Sequence, residues 1–161
     1  MGQRRIDIGY VFDTSILIQL KEYPPDIFGL QDDISRLIGQ NLIVSPKQVF
    51  AELTSYARED DAVIWAKRNS SIFIDLDEDQ ISELKNILNR FPKLVDFNKT
   101  TEDADPFIIA IAKSRGWIVV TREKARDDLN KPKIPDVCQE LKIECMDLFE
   151  MCRNEGWNYK P

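Results

Sequence analysis

Apolar and polar positions along this chain follow two rhythms. Short unbroken apolar runs at Gly9–Asp13, Leu42–Val44, Ile72–Ile74 and Trp117–Thr121 read as strands buried on both faces. Between them, apolar residues recur at helical spacing. Ser15–Glu22 puts Ile16, Leu17 and Leu20 on one face, and Tyr23-Pro24-Pro25-Asp26 breaks it. Ile27–Gly39 carries a stripe of Phe28, Leu30, Ile34, Leu37 and Ile38. Ser45-Pro46 predicts a helix start, with Ser as cap and Pro at the first helical position. That helix turns Val49, Phe50, Leu53 and Ala57 inward. Another helix spans about Asp60–Asn69. Asp77 and Gln80 form a capping-box pair opening a helix that runs to Phe91, before Pro92.

Lys93–Thr101 reads as an irregular surface loop. Asp105-Pro106 starts the apolar helix Phe107–Arg115, ended by Gly116. Lys124–Lys133 is a charged loop, and Ile134-Pro135 opens a helix to about Leu141. Ile143–Cys145 predicts a last strand and Asp147–Glu155 a last helix. Strand alternating with helix predicts an α/β protein whose parallel sheet is covered on both faces. The length, 161 residues, predicts a single domain over 1–161.

Composition narrows the chemistry. The apolar fraction of 43% and charged fraction of 31% are those of a soluble globular protein. No apolar run approaches the ~20 residues of a membrane span, and Met1–Asp7 lacks the apolar segment of a signal peptide. A cytoplasmic protein is therefore expected. The chain has no histidine, which removes imidazole-based nucleophile systems and imidazole zinc sites. The net charge of −6 argues against a simple basic nucleic-acid binder. An acidic protein still acts on nucleic acid when divalent metal neutralises its site. Cys138, Cys145 and Cys152 are odd in number and spaced unlike structural zinc knuckles, so they read as small buried hydrophobes.

The candidate chemistry lies in carboxylates at strand ends. Asp13 follows the first strand directly, and Glu123 follows the Trp117–Thr121 strand by two residues. In parallel neighbours both acids reach one edge of the sheet. Asp105 opens the helix feeding the second of these strands, and that helix start lies at the same edge. Glu52 flanks the buried face of its helix, about 100° from the centre, where its side chain reaches over the rim. Such clustering raises each acid's pKa, and hard divalent cations such as Mg²⁺ or Mn²⁺ relieve it. Each acid also has a purely structural reading. Asp13 and Asp105 fit helix caps, Glu52 fits an exposed helix position, and Glu123 fits a loop charge paired with Arg122 or Lys124. Asp103 is either an acid supporting Asp105 or a solvated one.

The ensemble resembles a known family. Asp13-Thr14-Ser15 after an apolar strand is similar to the opening motif of PIN-domain nucleases. Val49-Phe50-Ala51-Glu52-Leu53 resembles their Val-x-x-Glu-Leu helix. Ala104-Asp105-Pro106-Phe107 with its Ala-rich continuation, and Val119-Val120-Thr121-Arg122-Glu123, resemble their third and fourth motifs. Order and spacing match over about Tyr10–Cys145. The insert at Asp77–Lys99 and the run Ile134–Cys138 resemble an uncharacterised prokaryotic PIN-like subfamily.

The resemblance implies a three-layer α/β/α sandwich around a short, mainly parallel sheet. It implies a Mg²⁺- or Mn²⁺-dependent endoribonuclease similar to VapC toxins, with RNA as substrate, a cognate antitoxin as partner and a homodimer as assembly. Asp13, Glu52, Asp105 and Glu123 would then be the catalytic metal ligands. Ser15 and Thr121 would orient them, with Thr14 and Asp103 in support. Arg122 and Lys124, with Arg126, Lys131 and Lys133 nearby, are candidate phosphate contacts; a solvated loop is the alternative. One departure stands out. The family's fourth acid is usually Asp, and Glu123 is one methylene longer, which keeps a non-catalytic RNA- or protein-binding PIN-like module as the rival reading.

Overall fold

A computed structural model describes residues 8–23, 29–55, 60–95 and 103–157. Five parallel strands form the sheet: β1 (Tyr10–Phe12), β2 (Ile43–Pro46), β3 (Phe73–Ile74), β4 (Ile118–Val120) and β5 (Cys145–Met146), in the order β3-β2-β1-β4-β5. The helices among the described residues are α1 (Thr14–Leu20), α2 (Leu30–Gly39), α3 (Lys47–Thr54), α4 (Asp61–Arg68), α5 (Glu78–Arg90), α6 (Asp105–Arg115), α7 (Ile134–Leu141) and α8 (Leu148–Asn154). From β1 the chain steps outward to β2 and β3. It then crosses back over the sheet to β4 and β5. Right-handed crossovers in opposite directions put helices on opposite faces, so the architecture is the expected α/β/α sandwich. The order reverses at β1 and β4, and ligands of open α/β sheets bind outside the carboxyl ends of strands at such a reversal.

The central strands are buried on both faces. Val11, Phe12, Val119 and Val120 are fully buried, as unbroken apolar runs require. Helix α6 lies across β1, β2 and β4 with α5 alongside. Its Ile108–Ala112 segment is buried all round, so its apolar residues show no amphipathic stripe. Gly9 is required by close approach: a Cβ there would lie 2.4 Å from Leu42 O and 2.7 Å from the Trp117 ring. Gly116 ends α6 with φ 68°, a left-handed conformation suited to glycine.

Most predicted elements stand, with shifts at their ends. The Asp77–Gln80 capping box is present in both directions. Ser45, expected as a helix cap, belongs instead to β2, where its hydroxyl donates to Phe12 O at 2.7 Å and ties two strand ends together. Pro46 is then the residue before the helix rather than its first. The last strand is Cys145–Met146, not Ile143–Cys145. Lys142 ends α7 in a left-handed turn and Ile143 N donates to Cys138 O, so pairing begins later. Of the expected loop after Phe91, Pro92–Leu94 is a 3₁₀ turn. Residues 96–102 lie outside the described residues, as do Ile27, Phe28 and Ala57 of the predicted helical stripes.

Candidate active site

β1 delivers Asp13 to the carboxyl edge of the sheet, beside the end of β4. Asp13 N donates to Val120 O at 3.1 Å, which locks the two strand ends in register. The Asp13 side chain is almost fully buried and receives three donors. Thr14 N reaches Oδ1 at 2.8 Å, and the Ser15 and Thr121 hydroxyls each reach Oδ2 at 2.8 Å. The cap and the strand-end acid are thus one residue, since the Thr14 contact opens α1. Burial pushes the Asp13 carboxyl above the ordinary range, against the pull of the Ser15 bond, and the charge of Glu123 adds to the rise.

Two hydroxyls carry this arrangement onward. Ser15 Oγ accepts from Arg122 N at 3.0 Å, and Thr121 Oγ1 accepts from Glu123 N at 3.1 Å. The loop after β4 is therefore hung on the same side chains that hold Asp13. Glu52 reaches the edge from the middle of α3. Its Oε2 accepts from Thr14 Oγ1 at 2.6 Å and its Oε1 from Ala104 N at 2.9 Å. One carboxylate so connects α1, α3 and the start of α6. An exposed, unengaged Glu52 is not what the fold produces.

Asp105 is not a cap. Ala104 occupies the cap position, and Asp105 N is bonded by Asp103 Oδ1 at 3.0 Å. Asp103 is buried rather than solvated. No donor among the described residues reaches the Asp105 carboxylate. Burial, followed by the charges of Asp13, Asp103, Glu123 and Glu52, pushes its pKa up to about 9. Glu123 sits at the other wall, where its Oε2 accepts from Ile134 N, the first residue of α7, at 3.0 Å.

Asp13, Glu52, Asp103, Asp105 and Glu123 all line one open cleft of about 390 Å³ with Thr14, Ser15, Ile18, Leu94, Pro132 and Lys133. Among the described residues, no three acids already stand at metal-coordinating geometry. The donor set nevertheless suits a hard divalent cation: oxygen ligands only, an excess of negative charge, and one carboxyl so uncompensated that it holds a proton near neutrality.

Two predicted phosphate contacts do not line the cleft. The Arg122 guanidinium lies 3.2 Å from Glu22, and Lys124 Nζ lies 3.9 Å from Asp147 at a separate surface. Sequence reading also passed over Asp136. It is buried, and its carboxylate accepts from the backbone N–H of Arg126 on both oxygens and from those of Asp127 and Lys133. Burial alone would raise its pKa; these N–H bonds outweigh it and hold the carboxyl low. The available signal was an acid at the third position of a helix opened by Ile134-Pro135.

In fold, the chain is similar to chains of solved VapBC structures. The chain belongs to the DUF4411 family, a domain of unknown function, whose profile matches residues 10–159. No curated protein matches it. Among solved structures, a chain of VapBC-1 from nontypeable Haemophilus influenzae is 14% identical, with a TM-score of 0.50 over 87% of this chain and 98% of that one. A chain of the DNA-bound VapBC from Salmonella typhimurium is 19% identical, with a TM-score of 0.52 over 87% and 98%. No helix among the described residues is long and apolar enough to cross a membrane.

Proposed function

We propose that the chain, as one PIN-like domain, is a Mg²⁺- or Mn²⁺-dependent endoribonuclease. It hydrolyses an RNA phosphodiester by in-line attack of water, leaving a 5′-phosphate and a 3′-hydroxyl. The observation that carries this reading is the convergence of Asp13, Glu52, Asp105 and Glu123 on one cleft where the strand order reverses. Asp13, Glu52, Asp105 and Glu123 are the residues that would hold the cation. Bound there, it would lower the pKa of water and offset phosphate charge. The chain's own part is preorganisation. Three donors fix Asp13, while Thr14 and the Ala104 N–H fix Glu52. Asp105 is the carboxyl that a bound cation would favour in its charged form.

The likeness to chains of VapBC structures supports an antitoxin protein as partner; a cytoplasmic location and a homodimer belong to the same proposal. The test is cleavage of total RNA with Mg²⁺ or Mn²⁺ by wild type and by Asp13→Asn. Wild-type activity is expected to fall at least about 10³-fold in the variant. Equal activity in the two removes Asp13 from the reaction.

One observation favours a second reading, a non-catalytic PIN-like module that binds RNA or protein. Glu123 already serves α7 by accepting from Ile134 N, a structural duty that needs no cation. Calorimetric titration with Mn²⁺ separates the readings, since a degenerate site binds the ion weakly or not at all.

A further inference from the structure

Of the cations around the cleft, Lys133 is placed differently from the rest. Arg122 is paired with Glu22, and Lys124 lies near Asp147. Lys133 lines the acid cleft together with Pro132 and makes no ion pair among the described residues. A basic residue that lines a cleft with five acidic ones, yet makes an ion pair with none of them, is available to a group that brings its own negative charge.

Its position is built rather than incidental. Lys133 immediately precedes α7, and its N–H donates to Asp136 Oδ2 at 2.8 Å. The same carboxylate takes the N–H groups of Arg126 and Asp127 at 2.8 to 3.1 Å, with Asp127 held at φ 55°. One buried acid therefore closes both ends of the charged loop onto the start of α7. Glu123 closes the remaining N–H, that of Ile134. The loop carries four basic and two acidic side chains, and its backbone N–H groups need an acceptor. Asp136 replaces solvent for its backbone and fixes where Lys133 points from. The apolar side chains of Ile18, Leu94 and Pro132 line the same cleft and offer a dry wall to a ribose or base beside the phosphate.

We infer that Lys133 holds a phosphate of the substrate strand at the acid cleft, and that Asp136 is the positioning residue that presents it. The inference rests on the reading of the chain as a ribonuclease, and two readouts keep the two separable. The first is steady-state cleavage of a fluorescent single-stranded RNA dodecamer with Mn²⁺. The second is fluorescence anisotropy of the same labelled strand with Ca²⁺, its integrity checked on a gel.

Lys133→Met is expected to raise KM and the apparent Kd about tenfold with little change in kcat. It should also lower the slope of log affinity against log salt by about one. Lys113→Met, at the opposite edge of the sheet beside Gly116 and Trp117, is the control and leaves both unchanged. Asp136→Ala reproduces the Lys133→Met effect and adds little to it in the double variant, because both act on one contact. Asp136→Asn, which keeps an acceptor oxygen, restores part of the affinity and guards against an alanine variant that fails to fold. Cleavage or binding by Lys133→Met indistinguishable from Lys113→Met overturns this inference alone. Weakened binding by Lys133→Met in a protein that never cleaves supports it while removing the nuclease reading. No RNA binding by wild type overturns both.

Discussion

The two sides of the acid cleft differ in their mix of donors. On the Asp13–Glu52 side, side-chain hydroxyls join backbone N–H groups: Ser15 and Thr121 with Thr14 N on Asp13, Thr14 Oγ1 with Ala104 N on Glu52. On the Glu123–Asp136 wall, carboxylates are gripped by backbone N–H groups at the start of α7 and in the loop before it. Hydroxyl donors rotate and release an acid to a stronger partner at little cost. Backbone donors at a helix start are left without intrahelical partners, so an acid serving them is also a structural cap. The comparison separates a side with hydroxyl donors that can turn away from one held by backbone donors alone. Asp105 lies between them with neither kind of donor.

Among the changes that test this comparison, breaking the centre gives the largest expected effect. Asp105→Asn removes the ionisable carboxyl and is expected to lower cleavage by about 10²-fold or more. The same change stabilises the metal-free protein by about 2 kcal/mol, roughly 4–8 °C in Tm for a chain of this length. The pH dependence follows in sign. Burial and the neighbouring acids raise the folded pKa of Asp105 to about 9, against about 4 for an unfolded aspartate. Between those values the folded chain binds a proton that the unfolded chain has released, so stability falls as pH rises across that window. Thermal melts in EDTA from pH 5 to 9 should show this fall. Asp105→Asn should flatten it in part, since Asp13 is raised in the same direction. A steeper fall in the variant would contradict the assignment.

Thr121→Val strikes both walls through one atom and is next in size. Thr121 Oγ1 donates to Asp13 and accepts from Glu123 N. The substitution conserves shape and leaves a buried carboxylate one donor short, which costs about 1–3 kcal/mol. Chemical denaturation measures it, and cleavage should fall by about tenfold or more. A stability loss without any loss of activity would mean that Asp13 does not depend on its hydroxyl donors for its role.

What was readable in advance follows the same division. Strand ends and side-chain acids were legible because period and residue type betray them: Asp13, Glu52, Asp105 and Glu123 all reach one cleft. The hydroxyl residues beside them were also legible, since Ser15 and Thr121 are adjacent in sequence to the acids or strands they serve. The loop was not. Arg122 and Lys124 stood nearest in sequence to Glu123, but a residue leaving a strand alternates sides, and both side chains go to surface carboxylates. Asp136 serves N–H groups up to ten residues away, a relation set by loop closure that no local pattern encodes. Ser45 was misread for a related reason. Ser-Pro is a common helix start, and only the neighbouring strand end, Phe12 O, shows where its hydroxyl goes.

The smallest expected effect tests whether Glu123 is a cap, a ligand or both. Its Oε2 accepts the Ile134 N–H, and a glutamine presents an amide oxygen with the same reach. Glu123→Gln should therefore keep the fold within about 0.5 kcal/mol, whereas Glu123→Ala leaves the helix start without its acceptor and costs about 1 kcal/mol. A pure cap predicts wild-type cleavage and Mn²⁺ affinity in the glutamine variant. A charge-bearing ligand predicts weaker Mn²⁺ binding by calorimetry at unchanged stability. Only the second outcome makes the longer acid a working member of the cluster, because it shows that one oxygen serves α7 while the charge serves the cleft.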